Sequence, residues 1–144
     1  MNHPPQNFAN HTRYDPPFHF FMIPVLGIWF VRQAVQLVMT PGFDQALATL
    51  AAAALLVAGF KIRLNALRVQ DRLICLEERL RMARVLPEPL RARVDKLTEG
   101  QLVGLRFASD QELSGLVEKT LAGNLPVKEI KKAVANWRPD YFRV

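Results

Sequence analysis

Gln45-Ala46-Leu47-Ala48-Thr49-Leu50-Ala51-Ala52-Ala53-Ala54-Leu55-Leu56-Val57-Ala58-Gly59-Phe60 runs without a breaker into Lys61-Ile62-Arg63-Leu64. An uncharged, alanine-rich tract that turns abruptly basic reads as one helix in two environments. Upstream, residues 18–31 form a second apolar stretch, separated from the first by the turn Thr40-Pro41-Gly42. Two hydrophobic segments joined by a tight turn predict a transmembrane helical hairpin. The basic continuation of the second segment places the working part in the cytosol.

The lengths bear on that reading. Taken as residues 18–39, the first segment has 22 residues and as a helix spans about 30 Å of hydrocarbon, with Pro24, Gly27 and Arg32 as interruptions. The second has only 16 uncharged residues between Asp44 and Lys61. It crosses only if Lys61 and Arg63 snorkel or the bilayer is locally thin. The competing reading is a soluble hairpin of two buried core helices. A cleaved signal peptide is not expected, because the start Met1-Asn2-His3-Pro4-Pro5 is not basic and no small-residue cleavage site follows Val31.

Charge is unevenly distributed along the 144 residues. The net charge of +6 partitions as 0 over residues 1–60, +5 over 61–96 and +1 over 97–144. Anionic headgroups attract such a belt just outside a span, by roughly 1 kcal/mol per Lys or Arg. Lys61, Arg63, Arg68 and Arg72 crowd the far end of the second segment, whereas residues 40–44 contain no Lys or Arg. The positive-inside rule then puts both termini in the cytoplasm. Tyr14, Phe18, Phe20 and Phe21 form an aromatic anchor where the first span begins. The near-neutral C-terminal third argues against nucleic acid as a partner.

Trp29, Arg32 or Gln33, Gln36 and Thr40 share one face of the first span. Either Arg32 snorkels to the outer headgroups while the glutamines bond across to Gln45 and Thr49, or Arg32 and Gln36 meet another protein or an acidic ligand. In the second span, Ala48 with Ala52, Ala54 with Ala58, and Thr49 with Ala53 are four apart, a spacing that allows close helix approach.

Beyond the membrane, Ile62, Ala66, Val69, Leu73, Leu76, Leu80 and Ala83 alternate steps of four and three over three heptads. That is a coiled-coil seam. Arg72 and Glu77 flank it five apart, the offset of ion pairs between parallel strands, and Glu77 and Arg81 pair along one helix. Leu64, Leu67 and Ile74 lie outside the seam and call for a second covering surface. Self-association as a parallel dimer and packing against the chain's own C-terminal helices both answer this pattern.

Pro87-Glu88-Pro89 ends the long helix. Residues 90–97 then read as a short helix. Thr98 with Gln101 and Ser109 with Glu112 match the capping box, so helices start after Thr98 and Ser109. Gly123-Asn124 closes one helix, and Pro126 opens a last one over 127–137. A helix-turn-helix reader of DNA is disfavoured by Glu118, Glu129 and Asp140 beside Lys128, Lys131 and Lys132. Trp137, Tyr141 and Phe142 make the tail unusually aromatic. It either docks on the chain's own rod or offers these rings to a partner.

The expected fold is therefore all-α: a transmembrane hairpin whose second span continues into a long coiled-coil-like cytosolic helix, then three or four short C-terminal helices. The expected divisions are a polar segment 1–17, the hairpin 18–60, the basic amphipathic helix 61–86 and a small cytosolic helical domain 87–144.

The stretches Lys61-Ile62-Arg63-Leu64, Val69-Gln70-Asp71-Arg72-Leu73-Ile74 and Leu105-Arg106-Phe107-Ala108-Ser109-Asp110 resemble an uncharacterised family of small bacterial two-span membrane proteins. So do the Asn10-His11 and Asp15-Pro16 pairs, the run Phe18-His19-Phe20 and the closing Asn136-Trp137-Arg138-Pro139-Asp140-Tyr141-Phe142-Arg143-Val144. The resemblance implies the bacterial inner membrane and carries no assigned activity.

Catalytic patterns are not found. There is no Gly-rich phosphate loop, no GxSxG elbow and no HExxH. The lone Cys75 excludes an internal disulfide, and a zinc site is not expected. Of three histidines, His19 at the membrane edge is the one that could meet haem or a quinone, although an interfacial role explains it as well. Glu77-Glu78 reads as a solvated pair. The expected function is non-catalytic, with no cofactor: a scaffold or accessory subunit that contacts an anionic bilayer and a protein partner or a second copy. The alternative is a lipid or small-cofactor binder. The candidate contacts are Arg32, Gln36, Lys61, Arg63, Arg68, Arg72, Trp137, Tyr141 and Phe142.

Overall fold

The computed structural model of the chain describes residues 5–12 and 14–141, and these are all-α, without a strand. A π-helical segment Pro17–Met22 leads into α1 (Ile23–Met39). After the turn comes α2 (Phe43–Val85), a helix of 43 residues. Short helices follow: α3 (Glu88–Arg91), a 3-10 turn Val94–Lys96, α4 (Glu99–Leu105), α5 (Asp110–Gly123) and α6 (Val127–Ala133). The chain divides into two compact units. One comprises Arg13–Leu67, the other Met1–Thr12 with Arg68–Val144, so α2 contributes to both.

In the unit Arg13–Leu67, Pro17–Met39 and α2 are long and apolar enough to cross a membrane. No residue of Pro17–Met22 or of α1 is buried. The two helices meet closely where α2 is small. Ala52 and Gly59 are buried, and a Cβ at Gly59 would lie 3.3 Å from Met22 Cε and 3.6 Å from Leu26 Cδ1. Ala54 and Ala58 are exposed, so only part of the small-residue pattern serves the hairpin.

A polar knot closes the turn end. Gln45 Nε2 donates to Gln33 Oε1 at 2.9 Å, and Thr49 Oγ1 lies 3.1 Å from Gln33 O and 2.8 Å from Gln45 O. The cross-hairpin partner is thus Gln33. The expectation that both glutamines bridge is corrected at Gln36: among the described residues no hydrogen bond engages its side chain, while its backbone carbonyl accepts from Thr40 Oγ1 at 3.0 Å.

The other unit has a true core. Met82, Leu86, Leu102, Leu105, Phe107, Leu113, Val117 and Ile130 are fully buried. Each such side chain stabilises by roughly 1.5–3 kcal/mol relative to exposure. Helices α4 and α6 approach closely because Gly100 and Gly104 face α6: a Cβ at either would lie 3.1 Å from Val127 Cγ2 or 3.3 Å from Ile130 Cγ2.

Local signals explain the boundaries. Thr98 Oγ1 accepts from Gln101 N at 3.2 Å while Gln101 Oε1 accepts from Thr98 N at 2.9 Å, a reciprocal capping box. At α5, Glu112 Oε1 accepts from Ser109 N at 3.1 Å. Asn124 takes the left-handed conformation, φ 45°, that ends α5. Two expectations are corrected. Residues 90–97 form two pieces, because α3 stops at Arg91 and the 3-10 turn begins at Val94. The last helix ends at Ala133, four residues short of Trp137. Its continuation is captured by Glu112, whose carboxylate accepts from Ala135 N at 3.0 Å and Asn136 N at 3.1 Å. The freed chain pairs with the α4–α5 turn through Ser109 N to Asn136 O at 3.1 Å and Arg138 N to Phe107 O at 2.7 Å.

Candidate functional site

Of the residues singled out for lipid or partner contact, Arg32, Lys61, Arg68 and Arg72 are exposed. Among the described residues, no ion pair or hydrogen bond engages those four side chains. Arg63 differs. Its guanidinium is 3.5 Å from Asp15 Oδ2 and lies over the Phe18 ring, 5.9 Å from the centroid. It is part of a cluster that also holds Phe60 against Phe18, with ring centroids 6.1 Å apart. Gln36 is half-buried on α1.

His19 sits in the same unit, with Nδ1 2.8 Å from Asp15 O and its ring edge-on to Tyr14 and Phe18. Aromatic packing and a backbone contact account for it.

The tail residues part company. Trp137 packs on Phe107, with centroids 4.8 Å apart. Tyr141 is exposed, and Phe142 lies outside the described residues. Residues 5–12 complete this cluster. His11 stacks on Phe8 and lies 5.8 Å from Trp137 and 5.9 Å from Phe107, centroid to centroid. Its Nδ1 is 2.7 Å from Phe8 O and its Nε2 is 3.2 Å from Lys131 Nζ, an arrangement in which Nδ1 donates and Nε2 accepts. Gln6 Oε1 accepts from Asp140 N at 2.9 Å. No local signal marks this strap, because its partners outside the segment lie at least 96 residues away.

The reading of Glu77-Glu78 as a solvated pair is corrected at Glu78. Glu77 is exposed, but Glu78 is buried within an ionic cluster. Arg81 Nη1 donates to Glu78 Oε2 at 3.0 Å, Nε to Asp110 Oδ1 at 2.7 Å and Nη2 to Ala108 O at 2.7 Å. Arg138 Nη1 reaches Glu78 Oε1 at 3.2 Å, and Arg106 Nε is 3.3 Å from Asp140 Oδ2. The cluster binds α2, the start of α5 and the tail into one piece. Each carboxylate is matched by a guanidinium, so the cluster forms an ionic clasp.

Cys75 is buried, and its Sγ is 3.7 Å from Glu99 O. Burial first, then the negative charge of Glu99, pushes the thiol above its ordinary range. Such a thiol is a poor nucleophile. Among the described residues, no group of three or more His, Cys, Asp or Glu could hold a metal ion.

The family model of DUF6526, a family of unknown function, matches residues 1–144. The chain belongs to that family. The resemblance drawn from the rod and the tail, to an uncharacterised family, therefore stands. No curated protein and no solved structure matches the DUF6526 chain.

Proposed function

We propose that this DUF6526 chain is a non-catalytic integral membrane protein of the bacterial inner membrane, a scaffold or accessory subunit that acts through protein contacts of its cytosolic helices. One observation carries the reading. Val25, Ile28, Val31, Val35 and Val38 of α1, with Leu47, Leu50, Leu55 and Val57 of α2, are exposed, whereas the other unit encloses a buried core and leaves outside only the row Val69, Leu73, Leu76 and Leu80 among its described large aliphatic side chains. A folded chain that can bury leucines in one unit and leaves a sleeve of them outside in the other has a solvent for that sleeve other than water. Two helices with internally satisfied backbones are the form that solvent accepts.

Lys61, Arg68 and Arg72 are exposed beyond the apolar tract, which supports cytoplasmic placement of both ends of the hairpin. The strap at residues 5–12 belongs to the same compact unit as residues 68–141, which supports an even number of crossings between them. The ionic clasp and the protonated thiol favour a structural role for the cytosolic unit over a reactive one.

Washing membranes with alkaline carbonate tests the anchoring. The chain is expected in the pellet, and its quantitative release into the supernatant refutes the reading. A periplasm-dependent reporter fused after Val144 should be inactive, and an active one reverses the orientation. A second reading, lipid or small-cofactor binding, is favoured by the exposed Arg32, which no described residue engages. Lipid analysis of the purified protein separates the two. Loss of a bound anionic lipid in Arg32→Ala supports binding, and identical lipid content dismisses it.

A further inference from the structure

In α2 the seam and the packed face are opposite sides of one helix. With Leu73 and Leu80 at heptad positions a and Val69, Leu76 and Ala83 at d, the residues buried under the C-terminal helices fall at the remaining positions. Ile74 and Arg81 are b, Cys75 and Met82 are c, and Glu78 is f. These are the positions a coiled coil leaves to solvent. The a and d side chains, in contrast, are more than half exposed: Val69, Leu73, Leu76 and Leu80 are 68%, 54%, 55% and 59% exposed. Of the two explanations for the apolar width of this helix, the chain's own C-terminal helices take the b, c and f side. They leave the seam.

We infer that a second copy of this chain occupies the seam, forming a parallel two-stranded coiled coil over residues 69–83 with each copy's C-terminal helices on the outside. Three features select that occupant. The 3.5-residue period matches a partner helix that supercoils with it, not a flat surface. The flanks are complementary to themselves: in parallel register Arg72 at g meets Glu77 at e of the other strand, twice by symmetry. Both side chains are exposed, and no described residue engages either. The next flank pair, Arg79 with Arg84, carries like charge and weakens the last turn, so the pairing is strongest over 69–80.

The inference rests on the proposed anchoring for its orientation, since two copies inserted alike in one bilayer present parallel helices. Anchoring also supplies the concentration. A seam of two heptads is marginal between free chains in water, but confinement to a membrane raises the effective concentration of one copy near another.

Cysteine crosslinking of the full chain in native membrane vesicles tests it. Leu76→Cys and Leu73→Cys place thiols that face their counterparts across the axis, while Asp71→Cys places one at exposed position f. Oxidation should give disulfide-linked dimers for the first two at about tenfold the yield of D71C, and none through the buried Cys75 of the parent. Equal yields across the three positions overturn the seam, as does a ladder extending to trimers and beyond. In mild detergent, Leu76→Glu should lose the dimer mass while keeping the parent's helicity, because Leu76 points away from the core. Retention of the dimer in L76E refutes the proposal. Arg72→Glu should lower the L76C yield, and Arg72→Glu with Glu77→Arg should restore it. Carbonate washing of the same vesicles separates the two readings: a retained monomer removes the dimer and leaves the anchor, and a released dimer does the reverse.

Discussion

Replacing Arg81 with methionine should unfold the C-terminal unit more readily than its position on a long surface helix implies. The guanidinium is nearly buried and makes three contacts, to Glu78, Asp110 and Ala108 O. Methionine keeps the stem's packing and removes the fork. Asp110 is 65% exposed at its side chain and rehydrates at little cost. Glu78 is the problem. Its carboxylate stays buried, with only the half-exposed Arg138 as a charged partner. Removing one member of a buried pair costs about 3–5 kcal/mol, and the surviving Arg138 contact points to the lower figure. At about 4–8 °C per kcal/mol for a unit of this size, Tm should fall by roughly 12–24 °C. Thermal unfolding followed by circular dichroism in mild detergent reads this directly, with the exposed Arg84→Met as control. Adding Glu78→Gln to R81M should recover part of the loss, since it removes the stranded charge. If R81M unfolds within about 0.5 kcal/mol of the parent, the clasp is not what holds the unit together.

Glu112→Ala should release the tail and destabilise by about 2–4 kcal/mol, since the carboxylate accepts from three backbone N–H groups; hydrogen exchange at Ala135 and Asn136 that remains slow would contradict it. Cys75 should resist maleimide in the folded chain at neutral pH and react on denaturation. The sign for stability follows from the raised thiol: the fold prefers the protonated form, so nothing changes below the ordinary thiol range, and stability declines as pH rises above it. A denaturation midpoint that climbs with pH in that range would refute this. Gly59→Leu should push Met22 and Leu26 off α2, because even a Cβ there lies 3.3 Å from Met22 Cε and 3.6 Å from Leu26 Cδ1; a loss of about 1–3 kcal/mol in detergent is expected, and parent-like thermal stability would count against the close approach.

What could be read beforehand was local. Capping residues at Thr98 and Ser109, the left-handed stop at Asn124 and the proline pair at Pro87 and Pro89 act through neighbours three or four residues away, so a linear reading finds them. The early end of α6 could not be found that way. Residues 127–137 carry a helical pattern, and it is overridden by a carboxylate more than twenty residues upstream, in α5. Glu78 is legible only in part: Arg81, three residues on, pairs with it and not with the expected Glu77, whereas its second guanidinium, Arg138, comes from the tail. The strap carried no periodicity at all. Trp137 was recognisable as unlikely to stay in solvent, but its cover by His11 was not. The heptad pattern was legible, whereas the vacancy of its a and d face required knowing which side the C-terminal helices take.

The strap has a consequence for how the chain is made. His11 waits for Lys131, 120 positions later in synthesis. At about 5–20 residues per second, that is a delay of roughly 6–24 s during which its aromatic berth does not exist. Locking of the N-terminal segment therefore waits until Lys131, Trp137 and Asp140 have been made. A ribosome that stalls before Lys131 leaves His11 without its contacts to Lys131 and Trp137.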